Sequence, residues 1–324
     1  MLARVSIPPR ANERDQKINM EKKNSIYFEI ILNRWMVFYF FVQNLSEWHF
    51  SNRKEYNTIW KTELGEFSET EKDALSRFKE IHQKYTFGRE YLGKYFFTQE
   101  EPWSQFPDDF SKEETKTLRE IFVTFNDKFN AFYQQEEPLL KEWQRVLEQK
   151  INETTVSEEI TQNLSSFYRM NIESEAVQVF LLPSLEKHTG GTVRLIRERV
   201  ISLEVSRYTL TEHAEPIGII WHETTHLLFE KEFFVPLLTE VCGGDRESFN
   251  LVKEATASSL FPQGALGKLI LGTKNINLHT KISDEYSKQI SELANEYISE
   301  KKSVDKKFIE KILEISSELK GKLR

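Results

Sequence analysis

Two histidines and a glutamate in the segment IIWHETTHLLF have the residue types and the spacing of a metal site. Residues four apart on an α-helix lie on one face, so His222 and His226 can each direct a ring nitrogen at one ion. Glu223 is rotated by about 100° from His222. It therefore lies beside such an ion, where it can take a proton from a water molecule. Zinc suits this arrangement, because imidazole is one of its usual ligands and because it lowers the pKa of water toward 7.

The neighbours of the motif indicate a buried helix. The residues around it are apolar, namely Ile219, Ile220, Leu227, Leu228 and Phe229. On a buried helix two neutral histidines need polar partners. One alternative is therefore that both histidines are core residues, hydrogen-bonded to neighbouring side chains without a metal.

The motif resembles the active-site helix of the zincin metallopeptidases, which follows an antiparallel sheet. The strand-rich stretch 177–209 and a helix near 217–231 are similar to that order. The resemblance covers about residues 177–261. It implies a zinc-dependent hydrolase with Zn²⁺ on His222 and His226, Glu223 as general base, and a peptide or protein substrate held along a sheet edge.

The third ligand separates the zincin subclasses. Phe229 and Glu232 stand where a metzincin would have glycine and histidine, which excludes that branch. Gluzincins instead take a glutamate from a later helix. The candidates are Glu230, Glu232, Glu240, Glu247 and Glu254. We predict Glu254, because a carboxylate among small and apolar neighbours needs a positive partner. Glu240 stays possible, whereas a straight helix cannot bring Glu230 onto the same ion as both histidines.

Two further roles follow from the gluzincin resemblance. An acidic residue often stands four places after the third ligand and supports a ligand histidine. Here that place is Ser258, so the supporting group is not identified. A tyrosine or histidine beyond the third ligand commonly stabilises the oxyanion. His279 and Tyr286 are the candidates for that role, and Tyr297 is more typical of a core residue.

The rest of the chain predicts mainly helices. The sequence from residue 25 to 45 reads as one buried helix, too interrupted by polar residues to span a bilayer. Capping boxes begin at Ser68 and Ser111, and the second opens a helix from 112 to about 150, bent at Pro138.

The expected fold is α+β, predominantly helical, with a small antiparallel sheet preceding the zincin active-site helix. The predicted segments are a disordered tail at 1–24, a helical N-terminal region at 25–172, a zincin-like catalytic core at 173–281 and C-terminal helices at 282–324.

The composition of the chain excludes some classes of partner and indicates a cellular compartment. The 324 residues are 39% hydrophobic and 29% charged, with a net charge of −7 that is spread along the chain. A nucleic-acid groove needs a basic stripe, so nucleic acid is not an expected partner. The single cysteine, Cys242, allows no internal disulfide, and no secretory signal is visible, so we expect a cytoplasmic protein. The alternatives to a peptidase are a zinc-binding protein without proteolytic activity and a metal-free helical scaffold.

Overall fold

A computed structural model describes residues 25–47, 54–85, 92–97, 100–106, 110–185, 190–206, 214–262, 264–271 and 284–322. The first part of the chain contains β1 (Ile26–Ile31), α1 (Arg34–Leu45), α2 (Lys54–Leu64), α3 (Glu69–Lys84), two short 3₁₀ helices (Leu92–Phe96 and Pro102–Gln105), α4 (Lys112–Ile151) and α5 (Thr154–Tyr168). The second part contains β2 (Glu175–Ser184), β3 (Gly190–Leu195), β4 (Val200–Ser206), α6 (Ala214–Thr224), a π-helical turn (Thr225–Phe229), α7 (Phe234–Cys242), α8 (Arg246–Leu260), α9 (Gly267–Leu271), α10 (Asp284–Ser299) and α11 (Lys306–Lys322). The predicted tail at 1–24 lies outside the described residues.

The four strands form one sheet in the order β1-β2-β4-β3. The predicted fold class, α+β and predominantly helical with a small sheet before the motif helix, is confirmed. The sheet is mixed rather than antiparallel as predicted, because only β3 and β4 pair antiparallel, while β1 and β4 both pair with β2 in parallel. The antiparallel pair is a local hairpin, whereas a parallel neighbour needs a crossover connection. The helices α1 to α5 supply that crossover between β1 and β2.

The prediction of one buried helix over residues 25–45 was wrong for its first third. Residues 26–31 form β1, in which buried side chains alternate with more exposed ones. That period of two is the period of a strand. The helix begins at Arg34, because the side chain of Asn33 accepts a hydrogen bond of 2.8 Å from the Met36 N–H and caps it. The polar residues that interrupt the apolar run therefore mark a strand-to-helix boundary.

Side chains from the long helix α4 and from its C-terminal end bind the backbone of β1, which is one edge of the sheet. It begins at the predicted capping box of Ser111 and continues through Pro138 to Ile151. The Asn152 side chain exchanges two hydrogen bonds of 2.9 Å with the backbone of Phe28, and the Gln144 amide donates to the Ile30 carbonyl at 2.8 Å. The outward backbone groups of β1 are thus bound by side chains. Unpaired sheet edges are commonly protected by such cover.

Among the described residues, none of the helices combines the length and the apolar character that crossing a membrane requires. Helix α1 is the most apolar candidate in sequence. Its buried residues pack into the hydrophobic core, where Phe38 stacks on Phe129 of α4 with ring centroids 3.9 Å apart.

Candidate metal centre

The motif helix α6 is held in the core by the face opposite its histidines. Trp221 is buried, contacts Phe28 of β1 edge-on at a centroid distance of 5.0 Å and stacks on Phe261. The buried hydroxyls of Thr224 and Thr225 donate to backbone carbonyls one turn earlier. These two positions need no charge or water, which explains why threonine fits the centre of a buried HExxH segment. The packing leaves the two histidines on the remaining face.

The three predicted ligands converge. The Nε2 atoms of His222 and His226 lie 3.1 Å apart. The Glu254 Oε2 atom lies 3.3 Å from the His226 Nε2 atom and 3.6 Å from the His222 Nε2 atom. Among the described residues, these three side chains form the group of histidine, cysteine and acidic residues that could hold a metal ion.

Helix α8 brings Glu254 to the histidines from a separate element, as predicted. The side chain of Asp245 caps this helix by accepting from the Glu247 N–H at 3.0 Å. The neighbouring Ala255 and Ala257 are buried, so that α8 can lie close to its neighbours. The alternative candidate Glu240 forms an ion pair with Lys306 instead.

These distances fit a zinc ion. Ligand atoms at about 2.0–2.1 Å from a tetrahedral zinc lie about 3.3–3.4 Å from one another, and the three separations here are 3.1, 3.3 and 3.6 Å. Two imidazoles and one carboxylate are also a usual donor set for catalytic zinc, which keeps one position open to solvent. The Glu254 side chain is 59% exposed, so the cluster is open on that side.

The electrostatics of the cluster favour a cation. Burial alone lowers the pKa of His226, but its hydrogen bonds to Glu230 and Glu254 outweigh burial and raise the pKa to about 9. Hydrogen bonds from His222 and His226 hold the pKa of the Glu254 carboxyl well below its usual range. The first shift arises because two carboxylates contact the His226 imidazole, and the second because two imidazoles contact the Glu254 carboxylate. The same negative charge would attract a metal ion in place of a proton.

Glu230 is the contact that the sequence analysis missed. It does not join the cluster, as expected, but its Oε1 atom accepts a hydrogen bond of 2.8 Å from His226 Nδ1 on the far side of the ring. The side chain is 1% exposed, and Lys253 Nζ lies 3.4 Å from its other oxygen. A glutamate four residues after the second histidine, at the end of an apolar run, is the signal that could have identified it.

Glu223 contacts the edge strand β3. Its Oε2 atom accepts a hydrogen bond of 3.0 Å from the Val193 N–H. The strand comes this close because residue 191 is glycine. A β-carbon built there would lie 2.5 Å from Ile219 Cγ2 and 2.8 Å from Glu223 Cγ.

One of the two predicted oxyanion donors, Tyr286, has its contacts elsewhere in the fold. Tyr286 is 7% exposed, and its hydroxyl forms a hydrogen bond of 2.9 Å with Ser316 of α11. It therefore packs as a core residue between α10 and α11. His279 lies outside the described residues. Tyr297 donates to Asp305 at 2.9 Å, which agrees with the core role expected for it.

Comparison of the chain with protein-family models, with curated proteins and with solved structures finds no match. The zincin resemblance therefore stays a prediction from the motif and from the order of the elements.

Proposed function

We propose that the protein is a zinc-dependent metallohydrolase of the gluzincin type that cleaves peptide bonds. The observation that carries the proposal is the convergence of His222, His226 and Glu254 from two helices within 3.6 Å. Helical periodicity explains why the two histidines meet, but it does not explain why a third ligand from α8 lies at the same point. Three ligands and an open side are what hydrolytic zinc sites require.

Each side chain has a separate role in this proposal. His222, His226 and Glu254 would hold the ion, and zinc, when bound, supplies a Lewis acid that lowers the pKa of water toward 7. Glu223 takes the proton from the attacking water and passes it to the leaving amine. The Val193 N–H binds its Oε2 atom and orients the carboxylate. The Oε1 atom is the one that we assign to proton transfer.

The two sheet edges favour an extended substrate. Side chains of α4 cover β1, whereas β3 lies at the opposite edge and contacts the motif helix through Glu223. Backbone groups along an edge strand can pair with a peptide in extended conformation. A peptide on β3 would pass the candidate general base, which is why we propose peptides rather than small esters.

Metal analysis tests the site. We expect purified wild-type protein to retain one zinc ion per chain, and His226→Ala to lose it, because two ligands hold zinc poorly. Glu232, which is exposed and follows the π-helical turn, supplies the control as Glu232→Gln. Zinc-free wild-type protein, purified with its histidines unoxidised and without chelators, would contradict the proposal and favour the metal-free scaffold.

The substitution Glu223→Gln tests the chemistry. We expect hydrolysis of a mixture of quenched fluorogenic peptides to fall by about 10²–10⁴-fold, since general-base catalysis contributes that much, while the zinc content stays unchanged. Chelation should remove the wild-type activity, and added Zn²⁺ should restore it. A zinc-loaded wild-type protein with no activity on any peptide would favour the non-proteolytic alternative. Activity that survives Glu223→Gln would refute its role as base.

A further inference from the structure

We propose that buried Glu230 and half-buried Lys253 form an ion pair that positions the metal ligands, Glu230 through His226 and Lys253 beside Glu254. This inference rests on the proposed zinc site, and it names the residues that would hold the ligands of that site in position. In the gluzincin pattern an acidic residue after the third ligand supports a histidine, but Ser258 occupies that place and is exposed. Here the supporting carboxylate comes from the end of the motif helix itself.

The contact with Glu230 selects one state of the His226 ring. Because a carboxylate accepts from Nδ1 at 2.8 Å, that nitrogen would keep its proton when a metal ion displaces the proton on Nε2, and the Nε2 lone pair would then face the cluster. The hydrogen bond also fixes the rotation of the ring. His226 lies within the π-helical turn at residues 225–229, and Glu230 directly follows that turn, four positions after His226.

Lys253 makes this arrangement possible. A carboxylate that is 1% exposed is costly as an anion unless a positive charge lies nearby. The Oε2 atom of Glu230 has no hydrogen-bond partner among the described residues, but Lys253 Nζ lies 3.4 Å from it. The ammonium group thus lies beside one oxygen of the Glu230 carboxylate, while the other oxygen accepts from His226.

The same ammonium group lies near the third ligand. Lys253 Nζ is 4.0 Å from the Oε1 atom of Glu254, while the Oε2 atom of Glu254 faces the histidines. One cation therefore contacts the outer oxygens of both carboxylates. The arrangement leaves one oxygen of each directed at His226, from opposite sides of the ring.

The test is the affinity of each variant for Zn²⁺, measured by competition with a chromophoric chelator. We expect Glu230→Gln and Lys253→Met to weaken Zn²⁺ binding by about 10–100-fold, the usual cost of losing such a supporting contact. Lys253→Arg keeps the charge and should retain most of the affinity. Glu232→Gln and Lys231→Met make the same changes at exposed neighbours and should bind Zn²⁺ as the wild type does.

The visible absorption of bound Co²⁺ separates positioning from simple destabilisation. A changed ligand field in folded Glu230→Gln or Lys253→Met supports positioning, whereas an unchanged spectrum with wild-type affinity refutes it. If Glu230→Gln does not fold, Lys253→Met decides, because that side chain is 26% exposed. The zinc site itself fails separately, if His226→Ala and Glu254→Gln bind Zn²⁺ as tightly as the wild type.

Discussion

Gly191 sets the distance between the edge strand and the candidate general base. Any larger residue there would place its β-carbon within 2.8 Å of both Ile219 and Glu223. The contacted atoms are side-chain carbons, so the helix and the strand must move apart or the side chains must turn away. The hydrogen bond from Val193 to Glu223 depends on the same approach.

We therefore expect Gly191→Ala to reduce turnover without loss of zinc. Crowding of this kind should also lower the free energy of unfolding by about 1–3 kcal/mol. Peptidase assays, metal analysis and urea titration measure the three quantities. Thr192→Ala is the matched control, since the next residue on a strand points to the opposite face. Full activity in Gly191→Ala would show that the position of β3 does not affect Glu223.

At the scale of single residues, the sequence predicted which three side chains would lie close together, but the residues that contact them were not predicted. The proximity of His222 and His226 follows from helical spacing. Glu254 was predicted from the cost of burying a carboxylate among apolar neighbours, but its side chain is 59% exposed, so its contacts with the two histidines, and not burial, distinguish it. The contact of Glu230 with His226 has a local signal, because the two residues are four apart, but its contact with Lys253 depends on the packing of α8. The hydrogen bond of Tyr286 with Ser316 likewise depends on the packing of α10 on α11, which the local sequence does not show.

Among the elements, those with strong local signals were predicted best. The long helix α4 begins where its capping box indicates, because Ser111 and Glu114 satisfy each other's backbone N–H groups. The segment from 25 to 45 was wrongly predicted as one helix, because its apolar residues fit both the period of a strand and the period of a helix. Only pairing with β2, some 150 residues later in the chain, selects the strand for residues 26–31.

The cap of α4 should be measurable in stability. Ser111→Ala removes the side chain that accepts from the Glu114 N–H at 3.0 Å. Loss of such a cap costs about 1 kcal/mol, and we expect that decrease in the free energy of unfolding by urea titration. Ser68→Ala removes the equivalent cap of α3, where the same bond is 3.2 Å long, and should cost a similar amount. No change in either variant would mean that the ends of these helices are fixed by packing alone.

At the scale of the whole molecule, the site depends on both halves of the chain. The boundary predicted at residues 172 and 173 separates β1 from β2, yet these strands are paired over six residues. Trp221, on the motif helix, packs against Phe28 of β1. Trp143 of α4 donates to the Ser206 carbonyl at the end of β4. The N-terminal half therefore completes the sheet on which the motif helix lies, since it supplies the strand β1.

Because the two halves share one sheet, we expect the protein to unfold as one cooperative unit. Metal-free full-length protein should unfold in a single calorimetric transition whose enthalpy equals the van't Hoff value. A fragment comprising residues 173–324 lacks β1 and α4, and so exposes the apolar residues of β2 that they cover. We expect it to show no cooperative transition and no zinc binding. A chain that begins at residue 25 retains every described element and is the matched control. If the 173–324 fragment folds and binds zinc, the catalytic core is an independent domain, and the N-terminal helices are an addition to the site rather than part of its support.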